Sequence, residues 1–332
     1  MSDEFVQWDD AVHEVLTGDL TAALAYVTPA GGAVVTAVAP CGTADRAGGV
    51  VGFTTSLGFG KKLERIVRQP RVALAYHSRE HGFSTSAHFV LVQGSATVDL
   101  TPSEQRLKAF EPQATRFLGG VKRGVVWDRL LREYYGERVF VDVEVHRIIA
   151  WPDLQAAGDP VVLGDLGAGP PAPQAPPKNG SGPRVDVAGV AGRIAALPHR
   201  VLAYRGADGF PMVVPVELAG HDANGLRLVD SHGLLPPGGR RAGLLAHSYR
   251  PQLVGLSTRV LTGWLDVADD RSAVYAPHTS KGFTAPPNKN LLLVTNGLIA
   301  KYGFHKARRA GVAESLQEVA SSPAADGAPG PG

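Results

Sequence analysis

The two halves of this chain repeat one another. With the second half slid back so that Leu202 falls on Leu24, Leu24-Ala25-Tyr26 matches Leu202-Ala203-Tyr204, and Gly31, Val35 and Val38 fall on Gly209, Val213 and Val216 without a gap. An apolar run, a glycine turn and a second apolar run therefore open both halves, which predicts a β-hairpin at the start of each. Further on, Leu91-Val92-Gln93-Gly94 resembles Val260-Leu261-Thr262-Gly263, and Ile149-Ala150 resembles Ile299-Ala300. Duplication of one unit is the simplest explanation.

The boundary between the copies is compositional. From Gly164 to Pro183 the chain reads GDLGAGPPAPQAPPKNGSGP, with few side chains able to fill a core and with prolines that cannot join a sheet ladder. The last residues, SSPAADGAPGPG, have the same character. The expected division is a first unit at 1–155, a linker at 156–184, a second unit at 185–312 and a disordered tail at 313–332. Within the first unit, short clusters rich in Val, Tyr and Phe at 23–27, 33–38, 50–54, 72–77, 89–98 and 139–149 predict six strands. Between the third and fourth, Lys61 to Arg68 spaces its apolar residues three to four apart until Pro70, which predicts a two-turn helix, and Thr101-Pro102-Ser103-Glu104 opens a helical region extending to Tyr135. Many strands with few helices predict a mainly β chain of two small barrels, because an alternating parallel sheet would need a helix in every crossover.

Composition narrows the function. The 33 basic and 31 acidic residues are spread along the chain and leave a formal charge of +2, so no basic tract exists to neutralise a row of phosphates, and nucleic acid is not an expected partner. The single cysteine, Cys41, excludes an intramolecular disulfide and a multi-cysteine metal site; it is expected as a half-buried strand-end thiol. The first twenty residues are acidic and lack a secretory pattern, and no apolar run approaches the about 18 residues of a membrane span. A cytoplasmic location with no membrane partner is the expectation. His77, His81 and His88 have only Glu80 for company, and no metal site is expected from them.

The segment Phe53-Thr54-Thr55-Ser56-Leu57-Gly58-Phe59-Gly60-Lys61-Lys62 carries the most chemistry. A strand ends in hydroxyls, a glycine-containing loop follows, and a helix starts with two lysines. Hydroxyls, free N–H groups at a helix start and ammonium groups are together what a phosphate monoester requires, although a lysine-rich first turn also suits a solvated helix face and opposes the helix dipole.

The order of these pieces, followed by Gln69-Pro70-Arg71-Val72 and a strand, resembles the pyridoxamine-5′-phosphate-oxidase-like FMN-binding split-barrel superfamily, and the likeness extends through residues 90–98 and 139–151. The resemblance implies two tandem antiparallel split β-barrels of Greek-key type. It implies FMN as cofactor, with the deazaflavin coenzyme as the alternative, and oxidoreductase chemistry on a small-molecule substrate; a non-catalytic flavin or haem carrier is the reading from another class. By position, Thr54, Thr55, Ser56, Lys61 and Lys62 would hold phosphate, and Thr36, Ala37 and Val38 would lie beside the ring. Barrels of this kind pair, so an intramolecular pseudo-dimer or a homodimer is expected.

In the second half a Pro236-Pro237-Gly238-Gly239 turn stands where the lysine-headed helix would be, which predicts a degenerate site with Arg240 and Arg241 in a structural role. The segment Tyr275 to Phe283, dense in hydrogen-bonding groups, is the candidate wall that this half would lend to a ligand, or else a polar surface loop.

Overall fold

The computed structural model describes residues 5–120, 138–165, 167, 169–230, 232–268 and 272–288. Helix α1 (Asp10–Gly18) starts at Asp9, whose carboxylate accepts from the Val12 N–H at 2.8 Å, and it buries Val12, Val15 and Leu16. Strands β1 (Ala22–Val27) and β2 (Ala33–Val38) form the opening hairpin, and β3 (Ala44–Asp45) and β4 (Val50–Ser56) follow. Next come α2 (Gly60–Arg68), β5 (Arg71–Tyr76), β6 (Phe89–Asp99), α3 (Glu104–Leu118), β7 (Arg138–Trp151) and β8 (Val161–Gly164). The second half runs α4 (Val187–Ala195), β9 (His199–Arg205), β10 (Pro211–Pro215), β11 (Glu217–Asp222), β12 (Gly225–Val229), β13 (Gly238–Ser248), β14 (Ser257–Val267) and β15 (Ala273–Thr284).

Strand order repeats between the halves. The first sheet is β2-β1-β5-β6-β7-β4-β3 with β8 added beside β7, and the second is β10-β9-β13-β14-β15-β12-β11. Every pairing is antiparallel. The chain is thus mainly β, built as two tandem split barrels.

The copies share a local irregularity that explains a glycine in each. The β6–β7 ladder shifts register between Gln93 and Gly94, and the β14–β15 ladder shifts between Thr262 and Gly263. A Cβ at Gly94 would run into the Glu144 carbonyl oxygen, and one at Gly263 into that of Ala276. A bulge brings the partner backbone over the strand, and only glycine leaves room for it.

Alternation along the strands builds two kinds of core. In β1 and β5, Leu24, Tyr26, Val72 and Leu74 point into the first barrel, while Ala23, Ala25, Ala73 and Ala75 point outward. In the second half Leu202 and Tyr204 point inward, and Val201 and Ala203 outward. The outward residues of both halves meet in one buried cluster with Ala33, Val35, Phe89, Leu91, Val213 and Leu245. Small side chains let the sheets come close: a Cβ on Gly243 of β13 would stand 2.7 Å from the Ala33 carbonyl oxygen of β2.

Several expectations need correction. The first half has two further strands, β3 and β8, and β8 lies inside the stretch read as linker. The proline-rich segment is tied down there: the Gln174 N–H donates to the Gly239 carbonyl at 2.8 Å, and its side chain spans both halves through the Gly31 carbonyl and the Arg241 N–H. Register makes β15 the counterpart of β7, with Lys281 opposite Val260 as Ile149 is opposite Leu91, so Ile149 does not correspond to Ile299; Ile299 and Ala300 lie outside the described residues. Of the helical region 101–135, α3 is described up to Leu118, and 121–137 falls outside. Cys41 is fully buried rather than half-buried, and burial pushes its thiol up to about 12.

Candidate functional site

The hydroxyls Thr54, Thr55 and Ser56 are the last residues of β4 itself, paired with Phe140, Val139 and Arg138 of β7. Ser56 Oγ accepts from the Gly58 N–H at 3.2 Å and turns the chain through Leu57–Phe59 into α2. That helix has no side-chain cap, and its first turn contains Lys61 and Lys62 but no acid. Its buried face is Leu63 and Ile66, and it ends before Pro70.

The two lysines differ. Lys61 is exposed, whereas Lys62 is half-buried and turns back onto the strand, where its Nζ donates to Thr55 Oγ1 at 2.7 Å. Its ammonium lies 4.8 Å from the Phe59 ring centre and 5.9 Å from that of Phe53. Among the described residues no carboxylate pairs with it, and burial pushes it down to about 8. On the other face of β4 the Arg138 guanidinium donates to Thr54 Oγ1 at 3.1 Å and lies over the Phe110 ring. The Lys62 ammonium, the Thr55 hydroxyl and the start of a helix without a side-chain cap therefore meet at one end of the first barrel, and a phosphate monoester fits that donor set, while Thr54, by strand alternation, faces the other way. Arg138 was not singled out in the sequence; its signal is the register of β7, which only the fold supplies.

Of the three residues placed beside a ring, Ala37 faces the surface between the halves, while Val38 faces the first barrel's core and leaves only its backbone for contact. Thr36 is half-buried. Strand β2 is an edge strand, so one row of its backbone groups is not used by its own sheet. It touches β4 on one side and β9, β13 and β14 of the second half on the other.

Among its described residues the second half has no such cradle. Among the described residues of 230–237 there is no helix, and the Asp230 carboxylate accepts from the His232 and Leu235 N–H groups where a phosphate would need cations. Arg240 is buried, donates to the Pro236 and Pro237 carbonyls and lies over the Tyr204 ring, a structural role. The segment from Tyr275 to Phe283 is a strand rather than a loop, most of β15. Its Ser280 and Gly282, with Arg193 and Arg259, line a cavity of about 480 Å³ that includes none of the cradle residues.

Among the described residues no group of three or more His, Cys, Asp or Glu is arranged to hold a metal, and no helix is long and apolar enough to cross a membrane.

The sequence matches no protein-family model and no curated protein. Among solved structures it is similar to a conserved hypothetical protein from Mycobacterium tuberculosis, at 16% identity over 47% of this chain and 91% of that one, TM-score 0.33. It is similar also to a pyridoxamine 5′-phosphate oxidase-related, FMN binding protein from Nostoc punctiforme, at 11% identity over 62% and 93%, TM-score 0.29. A heme binding protein from Mycobacterium smegmatis matches at 14% identity over 95% and 99%, TM-score 0.31. Likenesses this weak carry no weight for activity. The strand order repeated in both halves makes this chain a tandem of two split β-barrels, the fold implied by its sequence resemblance to the pyridoxamine-5′-phosphate-oxidase-like superfamily.

Proposed function

We propose that the first barrel binds FMN and that the chain is a flavin-dependent oxidoreductase acting on a small molecule. The observation that carries this reading is the Lys62 ammonium, half-buried against Thr55 at a helix start without a side-chain cap, with no carboxylate to balance it among the described residues. A buried cation without a counter-ion is costly, and a dianionic phosphate offsets that cost. Lys62, Thr55 and Ser56 at the helix start would hold the phosphate, and Thr36 and Ala37 on the edge strand would flank the ring. The flavin would supply hydride or electron transfer; the chain's part is to anchor the phosphate, orient the ring and exclude water at the surface where β2 meets the second half.

The test is an absorption spectrum of the purified protein followed by titration with FMN and with the deazaflavin coenzyme. About one FMN per chain is expected, since among the described residues the cradle lies in the first half. Lys62→Ala should weaken binding at least tenfold, about 1.4 kcal/mol or more, and Lys61→Ala should change it little. Binding of the deazaflavin coenzyme alone would keep the cradle and change the cofactor. Binding of neither would overturn the reading.

A further inference from the structure

At the end of the first barrel away from the cradle, two histidines from different halves touch. His77 follows the last residue of β5, and His247 lies in β13, where it pairs with His199 of β9. Their Nε2 atoms are 2.7 Å apart, and both side chains are buried. Hydrogen-bond bookkeeping fixes the proton. His77 Nδ1 lies 3.1 Å from the Ala75 carbonyl, an acceptor, so that nitrogen carries hydrogen. Neutral His77 then has a bare Nε2, which accepts from the Nε2–H of His247. His247 Nδ1 is left bare, and no partner within the protein reaches it.

The surroundings offer no compensation for added charge. The Glu80 carboxylate bonds to His199 Nε2 at 3.1 Å, and Asp19 is paired with Arg79. Arg79 and His199 both act on His77 against a second cation. Tyr249 stacks on His247 with ring centres 5.6 Å apart, shares a hydrogen bond of 2.6 Å with the Ser78 hydroxyl, and meets the edge of His81. Neither member of the pair touches a carboxylate among the described residues. One proton fits between the two Nε2 atoms. Two would place N–H against N–H across the interface.

We propose that the His77–His247 contact is an acid-sensitive latch between the barrels: the neutral pair closes the interface, and uptake of two protons parts it at this end. Burial already disfavours the charged forms, pushing His77 down to about 4 and His247 well below its ordinary value. In the parted state both imidazoles meet water and regain an ordinary value near about 6.5. Two protons taken up on opening make the opening constant rise by about a thousandfold between pH 7.5 and pH 5.

The experiment uses the full chain with spin labels at the exposed positions Lys108→Cys on α3 and Glu217→Cys on β11, and measures the inter-label distance against pH. Expected is one distance at pH 7.5 and a second, longer population that grows steeply below pH 6. In His77→Gln and in His77→Gln/His247→Gln that acid response should vanish or halve its slope. Imidazole 15N shifts give an independent reading, with His247 protonated on Nε2 and bare on Nδ1 at neutral pH. A single distance persisting to pH 4.5, an identical acid response in the glutamine variants, or a proton on His247 Nδ1 at pH 7.5 would each overturn the latch.

Discussion

Lys62 Nζ donates to Thr55 Oγ1 at 2.7 Å, seven residues back along the chain, and so folds the start of α2 onto the end of β4. That single bond leaves the ammonium's other two hydrogens without a described carboxylate to receive them, in a half-buried place between Phe53 and the exposed Phe59. A group held this way destabilises the empty protein. Lys62→Met keeps the length of the stem and removes the charge, so it should raise the stability of the ligand-free chain by about 1–3 kcal/mol at neutral pH. The same substitution should weaken FMN binding at least tenfold. Chemical denaturation of both proteins without ligand checks the first half of this statement; equal or lower stability of the variant would count against an unpaired cation.

The same lysine sets a pH dependence. Its folded value, about 8, lies below its ordinary value, so the folded protein without ligand holds fewer protons than the unfolded chain between about 8 and 10.5. Ligand-free stability should therefore rise with pH through that window. Anion affinity should move the opposite way, because the neutral amine attracts no phosphate. Titration of FMN from pH 7 to 10 should show binding weakening above about 8, and the dependence should disappear in Lys62→Met.

Much of this architecture could be read from the residues, and the exceptions have physical reasons. The hairpins, the short helix before Pro70 and the repeat were visible because each is a local pattern. Contacts between distant segments left no such trace. Arg138 reaches Thr54 only because β7 pairs with β4, and His77 meets His247 only because two sheets pack face to face. The match of Ile149 to Ile299 misled because apolar dipeptides recur freely, whereas the match at Gly94 and Gly263 held because the backbone requires it.

That requirement is testable. In each half a Cβ at the bulge glycine would strike a carbonyl of the neighbouring strand, which cannot swing aside as a side chain can. Gly94→Ala and Gly263→Ala should each destabilise the chain by about 2–4 kcal/mol, within the range for strained backbone and overpacked sites. Gly192→Ala is the control. It lies inside α4 with nothing within 4 Å of a new Cβ, and should stabilise by about 0.5–1 kcal/mol. Thermal denaturation of the three variants would check the contrast; similar effects at all three would refute the backbone argument.

The last prediction concerns what fixes one half against the other. Arg147 of β7 is almost fully buried; its Nε donates to Gln93 Oε1 at 2.7 Å and its Nη2 to Asp208 Oδ2 at 2.6 Å in the turn before β10. Gln93 in turn donates its amide to the Pro211 carbonyl at 2.6 Å, so one network reaches from the first bulge into the second half's opening hairpin. Removing a single member strands the others in a dry place. Asp208→Ala should cost about 2–4 kcal/mol, somewhat below the value for a fully buried pair because the carboxylate is 25% exposed. Replacing both charges, Arg147→Met with Asp208→Leu, should cost less than Asp208→Ala alone, since no charge is then left unpaired. A double-mutant cycle by denaturant unfolding reads the difference directly. If the double variant is as unstable as the sum of the singles, the two side chains are not coupled and this ion pair does not help to fix one half against the other.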